Sequence, residues 1–180
     1  MCNLPNFLSL ARILLIPILI ILLINGAFFW ALLIFSVAAL TDAADGMLAR
    51  LMQQRTLIGS YLDPIADKLL SGSSFICLAI LGLIPGWLAV LVISRDIIIL
   101  GGLLILFILG RLPKIQPTLA SKLTTFFQLL TIVIVLFSQI VPFGSLLIKV
   151  LIWTTGAFTI LSGSQYVKKG IEIFGQEAPK

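Results

Sequence analysis

The sequence predicts an all-α integral membrane protein, folded as a bundle of six transmembrane helices. Hydrophobic residues make up 60% of the 180-residue chain and charged residues only 11%, with a mean hydropathy of +1.20. Soluble globular domains carry about 25% charged residues. Six apolar stretches each approach the roughly 20 residues that cross a bilayer, and the basic residues alternate between successive loops. We expect residues 1–180 to form one domain.

The helices are predicted in order along the chain, and Gly- and Pro-containing turn signals separate most of them. Asn25-Gly26 separates the first pair and Pro85-Gly86 the third and fourth helices. The first helix lacks a basic leader and a small-residue cleavage site, so we interpret it as a retained helix and not a signal peptide. The predicted spans are 5–25, 28–50, 57–82, 86–108, 117–140 and 145–167.

The positions of the basic residues predict the orientation. Lys and Arg occur in the loops after the second and fourth helices and after the sixth: Arg50, Arg55, Arg111, Lys114, Lys168, Lys169 and Lys180. The opposite loops contain none, so both termini are expected in the cytoplasm. We interpret the net charge of +5 as a topology signal and an attraction to anionic membrane lipid, with no nucleic-acid partner. The lack of a leader favours the cytoplasmic (inner) membrane of a prokaryote.

Four of the seven acidic residues lie in 26 residues of this apolar chain, as D-x2-D-G-x2-A-R-x8-G-x3-D-x3-D. Asp42 and Asp45 are three residues apart near the cytoplasmic end of the second helix, and Asp63 and Asp67 are four apart on the third. Each pair therefore shares a helix face. Carboxylates inside a membrane are costly, and an all-oxygen set suits a hard cation. We predict a site for Mg²⁺ or Mn²⁺, facing the cytoplasm.

Small residues and an arginine accompany the carboxylates. Gly46 and Ala49 on the second helix and Gly59 on the third would let a ligand approach the backbone closely. Arg50 presents a planar fork of donors suited to phosphate oxygens. The pattern therefore predicts a phosphate-bearing ligand beside the metal.

Three other interpretations of the carboxylates stay open at this point. The acids could pair with Arg50, Arg55 and Lys68 as buried structural ion pairs. They could form part of an ion-translocating path, although such paths place charges through the whole membrane depth. They could also stabilise a non-catalytic membrane scaffold through a bound metal. One layer of four acids near one face favours an enzyme.

The residues Asp42-Ala-Ala-Asp45-Gly46-Met-Leu-Ala49-Arg50, followed by Gly59, Asp63 and Asp67, resemble the complete signature of the CDP-alcohol phosphotransferase family. The opening Asn3-Leu-Pro5-Asn6-Phe-Leu-Ser9-Leu-Ala-Arg12, followed by Pro17, is similar to that of the family's phosphatidylglycerophosphate synthases and cardiolipin synthases. The resemblance covers essentially the whole chain.

The resemblance implies transfer of a phosphatidyl group from CDP-diacylglycerol to an alcohol, with release of CMP. Asp42, Asp45, Asp63 and Asp67 would hold the metal, and Asp67 would also be the general base. The CDP contacts implied are Gly46, Ala49, Arg50 and Gly59. The family's tendency to dimerise implies a homodimer, which no residue here demonstrates.

Cations near this layer suggest an acceptor that carries phosphate, either phosphatidylglycerol or glycerol 3-phosphate. Arg12, Arg95 and Lys122 are the predicted acceptor contacts, although Arg95 could merely pair with Asp96. Arg111 and Lys114 could merely anchor the membrane interface. The segments Ser94-Arg95-Asp96 and Ser121-Lys122, with Gln128, are similar to cardiolipin synthases, which favours phosphatidylglycerol. Glycerol 3-phosphate, the acceptor of phosphatidylglycerophosphate synthases, is the alternative.

Overall fold

The computed structural model of the protein describes residues 4–52, 57–108, 119–142 and 144–175, with side chains described over 10–41, 65–102, 119–142 and 144–171. The described residues form six α-helices connected without any strand. In chain order these are α1 (Leu4–Ile24), α2 (Phe28–Met52), α3 (Leu57–Ile80), α4 (Gly86–Ile108), α5 (Leu119–Ser138) and α6 (Ser145–Gly175). The predicted all-helical class and the number of helices are confirmed.

Short turns lie between the helices at one end of the bundle, at residues 25–27 and 81–85 and, between the fifth and sixth helices, at 139–142 and 144; we call this the turn end. Gly26 has φ of 69° and Gly82 has φ of 70°, both in the left-handed region that favours glycine. The turn predicted at Asn25-Gly26 is therefore present. α4 begins at Gly86, directly after Pro85, as the turn signal there predicted.

Each helix packs against its neighbour across a turn: α1 against α2, α3 against α4, and α5 against α6. α1 also packs against α3, α2 against α5, and α4 against α6. α5 and α6 run antiparallel, because Thr124 contacts the Phe158 carbonyl while Thr131 contacts Thr155. α1 thus lies beside both helices that carry the acidic motif.

The interior of the bundle is apolar towards the turn end. Its fully buried large side chains include Leu19 and Leu23 of α1, Phe35 of α2 and Phe75 of α3. Each such side chain makes many van der Waals contacts with its neighbours, which are individually small and collectively large.

Away from the turn end, the interior becomes polar. The buried polar and charged side chains there belong to five of the six helices: Arg12, Ser71, Arg95, Asp96, Thr124, Gln128, Thr131, Thr155, Thr159 and Ser162. The half of the bundle that carries the acidic motif is therefore also the half with a polar interior.

Among the described side chains, every helix exposes large apolar residues on its outer surface. Leu14 is 64% exposed, Ile80 78%, Leu119 79% and Leu146 73%. By length and composition, two of the described helical stretches can cross a membrane, Leu119–Ser138 and Ser145–Ile171, while Leu10–Ile24 and Phe28–Thr41 are shorter apolar stretches. That all six helices cross a membrane stays a prediction.

Candidate active site

The acidic motif lies on α2 and α3, as predicted. Asp42 and Asp45 are within α2 and Asp63 and Asp67 within α3, so the spacings of three and four residues place each pair on one helix face. The side chains of 42–64 lie outside the described part of the chain. Three of the predicted metal ligands lie in this range, as do the predicted CDP contacts Gly46, Ala49, Arg50 and Gly59. That the two pairs of acids face each other therefore stays a prediction.

Asp67 is the one member of the motif whose side chain is described, and it is half-buried. On either side of it, Ala66 and Leu70 are buried in the bundle. Ser71, one turn further along, is buried and donates a hydrogen bond to the Asp67 carbonyl oxygen at 3.0 Å. α3 therefore presents Asp67 at the edge of its buried face, next to the polar half of the interior.

Lys68, the residue after Asp67, forms an ion pair with α4. Its Nζ lies 3.1 Å from Asp96 Oδ1. The same oxygen accepts a hydrogen bond from Arg95 Nη1 at 2.7 Å. Two cations thus share one carboxylate oxygen, and together they leave one positive charge in excess. Among the described side chains, Lys68 thus pairs with Asp96 and not with a motif acid, while its pairing with Asp42, Asp45 or Asp63 stays an untested interpretation.

Arg95 is buried and is held by two further helices. Its Nη2 donates to Ser121 Oγ on α5 at 2.7 Å and to Ser162 Oγ on α6 at 3.1 Å. The guanidinium carbon lies 6.0 Å from the ring centroid of Tyr166, one turn after Ser162, within the range of a cation–π interaction. Arg95 therefore joins α4, α5 and α6 in one polar layer, which Lys68 connects to α3.

The three predicted acceptor contacts lie in different environments. Arg95 is 4% exposed and Arg12 on α1 is 2% exposed, whereas the Lys122 side chain on α5 is exposed. Burying a guanidinium is costly unless charged or polar groups surround it. Arg12 and Arg95 thus occupy interior positions where a phosphate could be bound out of water, and Lys122 lies at the outer surface of α5.

The polar layer also contains groups that the sequence did not predict. Ser162 and Tyr166 contact Arg95 from a helix 67 and more residues away along the chain. The one signal in the sequence is their spacing of four residues, which places both on the same face of α6. Below this layer, the Thr131 and Thr155 hydroxyls are 2.8 Å apart, and the Gln128 side chain is 1% exposed.

Within the side chains that the structure describes, no three His, Cys, Asp or Glu residues cluster as a metal site. Asp67 is the described member of the predicted ligand set. Its carboxylate, half-buried at the edge of a polar interior, fits an oxygen ligand for a hard cation.

Comparison with known proteins shows which family the chain belongs to. The model of the CDP-alcohol phosphatidyltransferase family matches residues 2–161, which include the whole acidic motif. The chain belongs to this family. The resemblance of the motif is thereby confirmed, and the chain is a transferase of the CDP-alcohol phosphatidyltransferase family.

Relatives with three different names match over most of the chain. A CDP-diacylglycerol–glycerol-3-phosphate 3-phosphatidyltransferase of Bacillus subtilis is 32% identical over 96% of this chain and 97% of its own length. A probable phosphatidylglycerophosphate synthase of Mycobacterium tuberculosis is 34% identical over 96% of this chain and 84% of its own. The human cardiolipin synthase (CMP-forming) is 31% identical over 95% of this chain and 64% of its own. The acceptor therefore has to be judged from the site.

Proposed function

We propose that the protein transfers a phosphatidyl group from CDP-diacylglycerol to the hydroxyl of a glycerol phosphate, with release of CMP. The observation that carries the acceptor class is the layer of buried Arg95 and Asp96 with the partly exposed Lys68, which follows Asp67 on α3. Its excess positive charge suits an acceptor that brings a phosphate. The relatives named above act, by their names, in the same chemical class.

Asp42, Asp45, Asp63 and Asp67 would hold Mg²⁺ or Mn²⁺ at the donor's pyrophosphate. When bound, such an ion neutralises charge on the phosphate oxygens and aligns the attacking and leaving oxygens. Gly46, Ala49 and Gly59 would admit the CDP part close to the helix backbones, and Arg50 would donate to its phosphate oxygens.

Asp67 would take the proton of the acceptor hydroxyl. Its half-buried position allows contact with both the polar interior and an incoming substrate. Arg95 and Arg12 would bind the acceptor's phosphate from the interior, and Lys122 would contact it from the exposed side of α5. A base must lie within hydrogen-bond reach of the proton it abstracts. The Lys68–Asp96 ion pair holds α3, which carries Asp67, against α4, which carries Arg95, and so favours a short distance between the base and the bound acceptor.

Phosphatidylglycerol is the acceptor that we favour. The similarity of Ser94-Arg95-Asp96 and Ser121-Lys122 to cardiolipin synthases falls on residues in contact here, since Arg95 donates to Asp96 and to Ser121. Glycerol 3-phosphate is the second candidate, favoured by the match to nearly the full length of the Bacillus subtilis relative.

The enzyme would work inside a membrane, with six spans, both termini in the cytoplasm and the active site facing the cytoplasm of a prokaryotic inner membrane. The exposed leucines and isoleucines of every helix support this placement, because soluble monomers rarely expose extended apolar surface. Trp30 and Trp87 lie at the starts of α2 and α4, at the turn end, where tryptophan is typical of a membrane–water interface. A homodimer would be compatible with such a bundle.

The test is CMP release by the purified protein in detergent, with CDP-diacylglycerol, Mg²⁺ or Mn²⁺, and each acceptor offered separately. Turnover with phosphatidylglycerol alone supports the favoured assignment. Turnover with glycerol 3-phosphate alone replaces it with the second candidate. If protein that retains its helical content releases no CMP with either acceptor, the proposed function is contradicted.

A further inference from the structure

Two buried polar atoms of the Arg95–Asp96 pair have no hydrogen-bond partner among the described residues. They are Arg95 Nε and Asp96 Oδ2. Both residues are more than nine-tenths buried, Arg95 at 4% exposed and Asp96 at 6%. Leaving a buried polar group unsatisfied costs about 1–3 kcal/mol, and more when it is charged. Such atoms therefore point to a partner that arrives from outside the chain.

The two atoms differ in chemistry and are held together. Arg95 Nε is a donor and Asp96 Oδ2 is an acceptor, and the 2.7 Å bond between Arg95 Nη1 and Asp96 Oδ1 fixes one residue against the other. Lys68 holds the same Oδ1 from α3 at 3.1 Å, so the carboxylate is fixed from two sides with Oδ2 unused. A ligand that satisfies both atoms must present an acceptor and, close to it, a donor, which a phosphate oxygen and a neighbouring hydroxyl supply.

Both acceptors of the proposed function have this pattern. Each carries a phosphate on one carbon of a glycerol unit, a secondary hydroxyl on the next carbon, and the reacting primary hydroxyl on the third. The shared group is therefore a glycerol phosphate with a free secondary hydroxyl, whether it is free in solution or is the head group of a lipid.

We propose that Asp96 is a specificity-determining residue, whose Oδ2 accepts a hydrogen bond from the secondary hydroxyl of the acceptor while Arg95 Nε donates to its phosphate. This inference rests on the proposed function. It adds a residue that recognises the secondary hydroxyl of the acceptor, which does not take part in the reaction. Asp96 and Lys68 also line a cavity of about 300 Å³ between α3 and α4, whose other lining is mostly apolar. The carboxylate therefore borders open space as well as the polar layer.

A site built to bind a hydroxyl strongly rejects an analogue that lacks it, because its own polar group is then left unpaired. The test compares kcat/KM for glycerol 3-phosphate with that for propane-1,3-diol monophosphate, which lacks the secondary hydroxyl. The second arm compares phosphatidylglycerol with phosphatidyl-propane-1,3-diol. We expect the wild-type enzyme to prefer the glycerol compound by about ten- to hundredfold, in the arm that contains its true acceptor.

Asp96→Asn should weaken this preference severalfold. Arg95 and Lys68 both donate to Oδ1, so the amide oxygen of the variant will face them and its NH₂ group will take the place of Oδ2. An NH₂ group then replaces the anionic acceptor. It can still donate to the hydroxyl oxygen, but the charge-assisted hydrogen bond is lost, so the ratio of the two kcat/KM values should fall severalfold towards one. Ser94→Ala, at an exposed position on the same helix, is the matched control and should keep the wild-type ratio.

Arg95→Lys keeps a positive charge beside Asp96 but removes Nε. It should lower kcat/KM for both compounds of a pair and leave their ratio unchanged. If Asp96 has only a structural role, Asp96→Asn will lower both values by the same factor, and that result overturns the inference. A wild-type ratio near one overturns it as well, even where the Asp96 variant does not fold. If the enzyme turns over none of these acceptors, that result overturns the proposed function instead, and the inference with it.

Discussion

The packing of α6 against α4 can be tested with two glycine substitutions on α6. An added Cβ at Gly156 would lie 2.9 Å from Trp87 Cζ3 and 3.1 Å from Cη2, closer than side chains pack. Trp87 in turn contacts Trp153, with ring centroids 5.3 Å apart, so the indole cannot move without disturbing a second ring. Gly170, on the same helix, has no atom within 4 Å of an added Cβ.

The expected effects have opposite sign. Replacing glycine by alanine within a helix contributes about 1 kcal/mol at either position. Overpacking costs about 1–3 kcal/mol, and it applies at Gly156 alone. Gly156→Ala should therefore be destabilised by about 0–2 kcal/mol and Gly170→Ala stabilised by up to about 1 kcal/mol, a difference of about 1–3 kcal/mol.

Thermal unfolding in detergent, followed by circular dichroism, measures this difference. At about 2–4 °C per kcal/mol for a chain of this size, the Tm of Gly156→Ala should lie about 2–12 °C below that of Gly170→Ala. Equal Tm values, or a higher one for Gly156→Ala, would refute the close approach of α6 to Trp87. The same helix pair positions Ser162 against Arg95, so the result also bears on the site.

Three further predictions concern the site. Asp67→Asn should abolish CMP release while the helical content and Tm stay near those of the wild type. Ser73→Ala, on the same helix, is the control and should keep activity. Normal turnover by Asp67→Asn would show that this residue is not the base. Arg95→Met should raise the acceptor KM about tenfold or more, since it removes a buried charge-assisted contact of about 1.5–3 kcal/mol, and should leave the donor KM within about twofold. Lys122→Met should raise the acceptor KM less, because that side chain is exposed; a larger effect from Lys122 than from Arg95 would contradict the interior placement of the phosphate.

Much of the fold follows from hydropathy and turn chemistry. α4 begins and ends at the predicted 86 and 108, and the turn at Gly26 has the positive φ that its sequence predicts. α6 instead continues to Gly175, beyond the predicted 167. Hydropathy falls at Lys168 and Lys169, yet lysine is a good helix former, so a change of composition that ends an apolar span does not end the helix.

The site was predictable only in part, for physical reasons. The acidic motif could be placed because residues three and four apart must share a helix face. The pairing of Arg95 with Asp96 was foreseen as an alternative to acceptor binding, and it forms. Contacts from Ser162 and Tyr166 depend on how α6 packs against α4, which an almost uniformly apolar sequence specifies weakly. The sharing of Asp96 by Lys68 depends on tertiary packing in the same way.

In the proposed function, carboxylates on α2 and α3 hold a metal that phosphatidyl transfer requires. The most direct measurement is CMP release from CDP-diacylglycerol after the purified enzyme has been treated with a chelator, followed by titration with Mg²⁺, Mn²⁺ or Ca²⁺. We predict that activity is lost on chelation, returns with Mg²⁺ or Mn²⁺ in the wild type, and does not return in Asp67→Asn. Full activity in the chelated wild-type enzyme would contradict the claim.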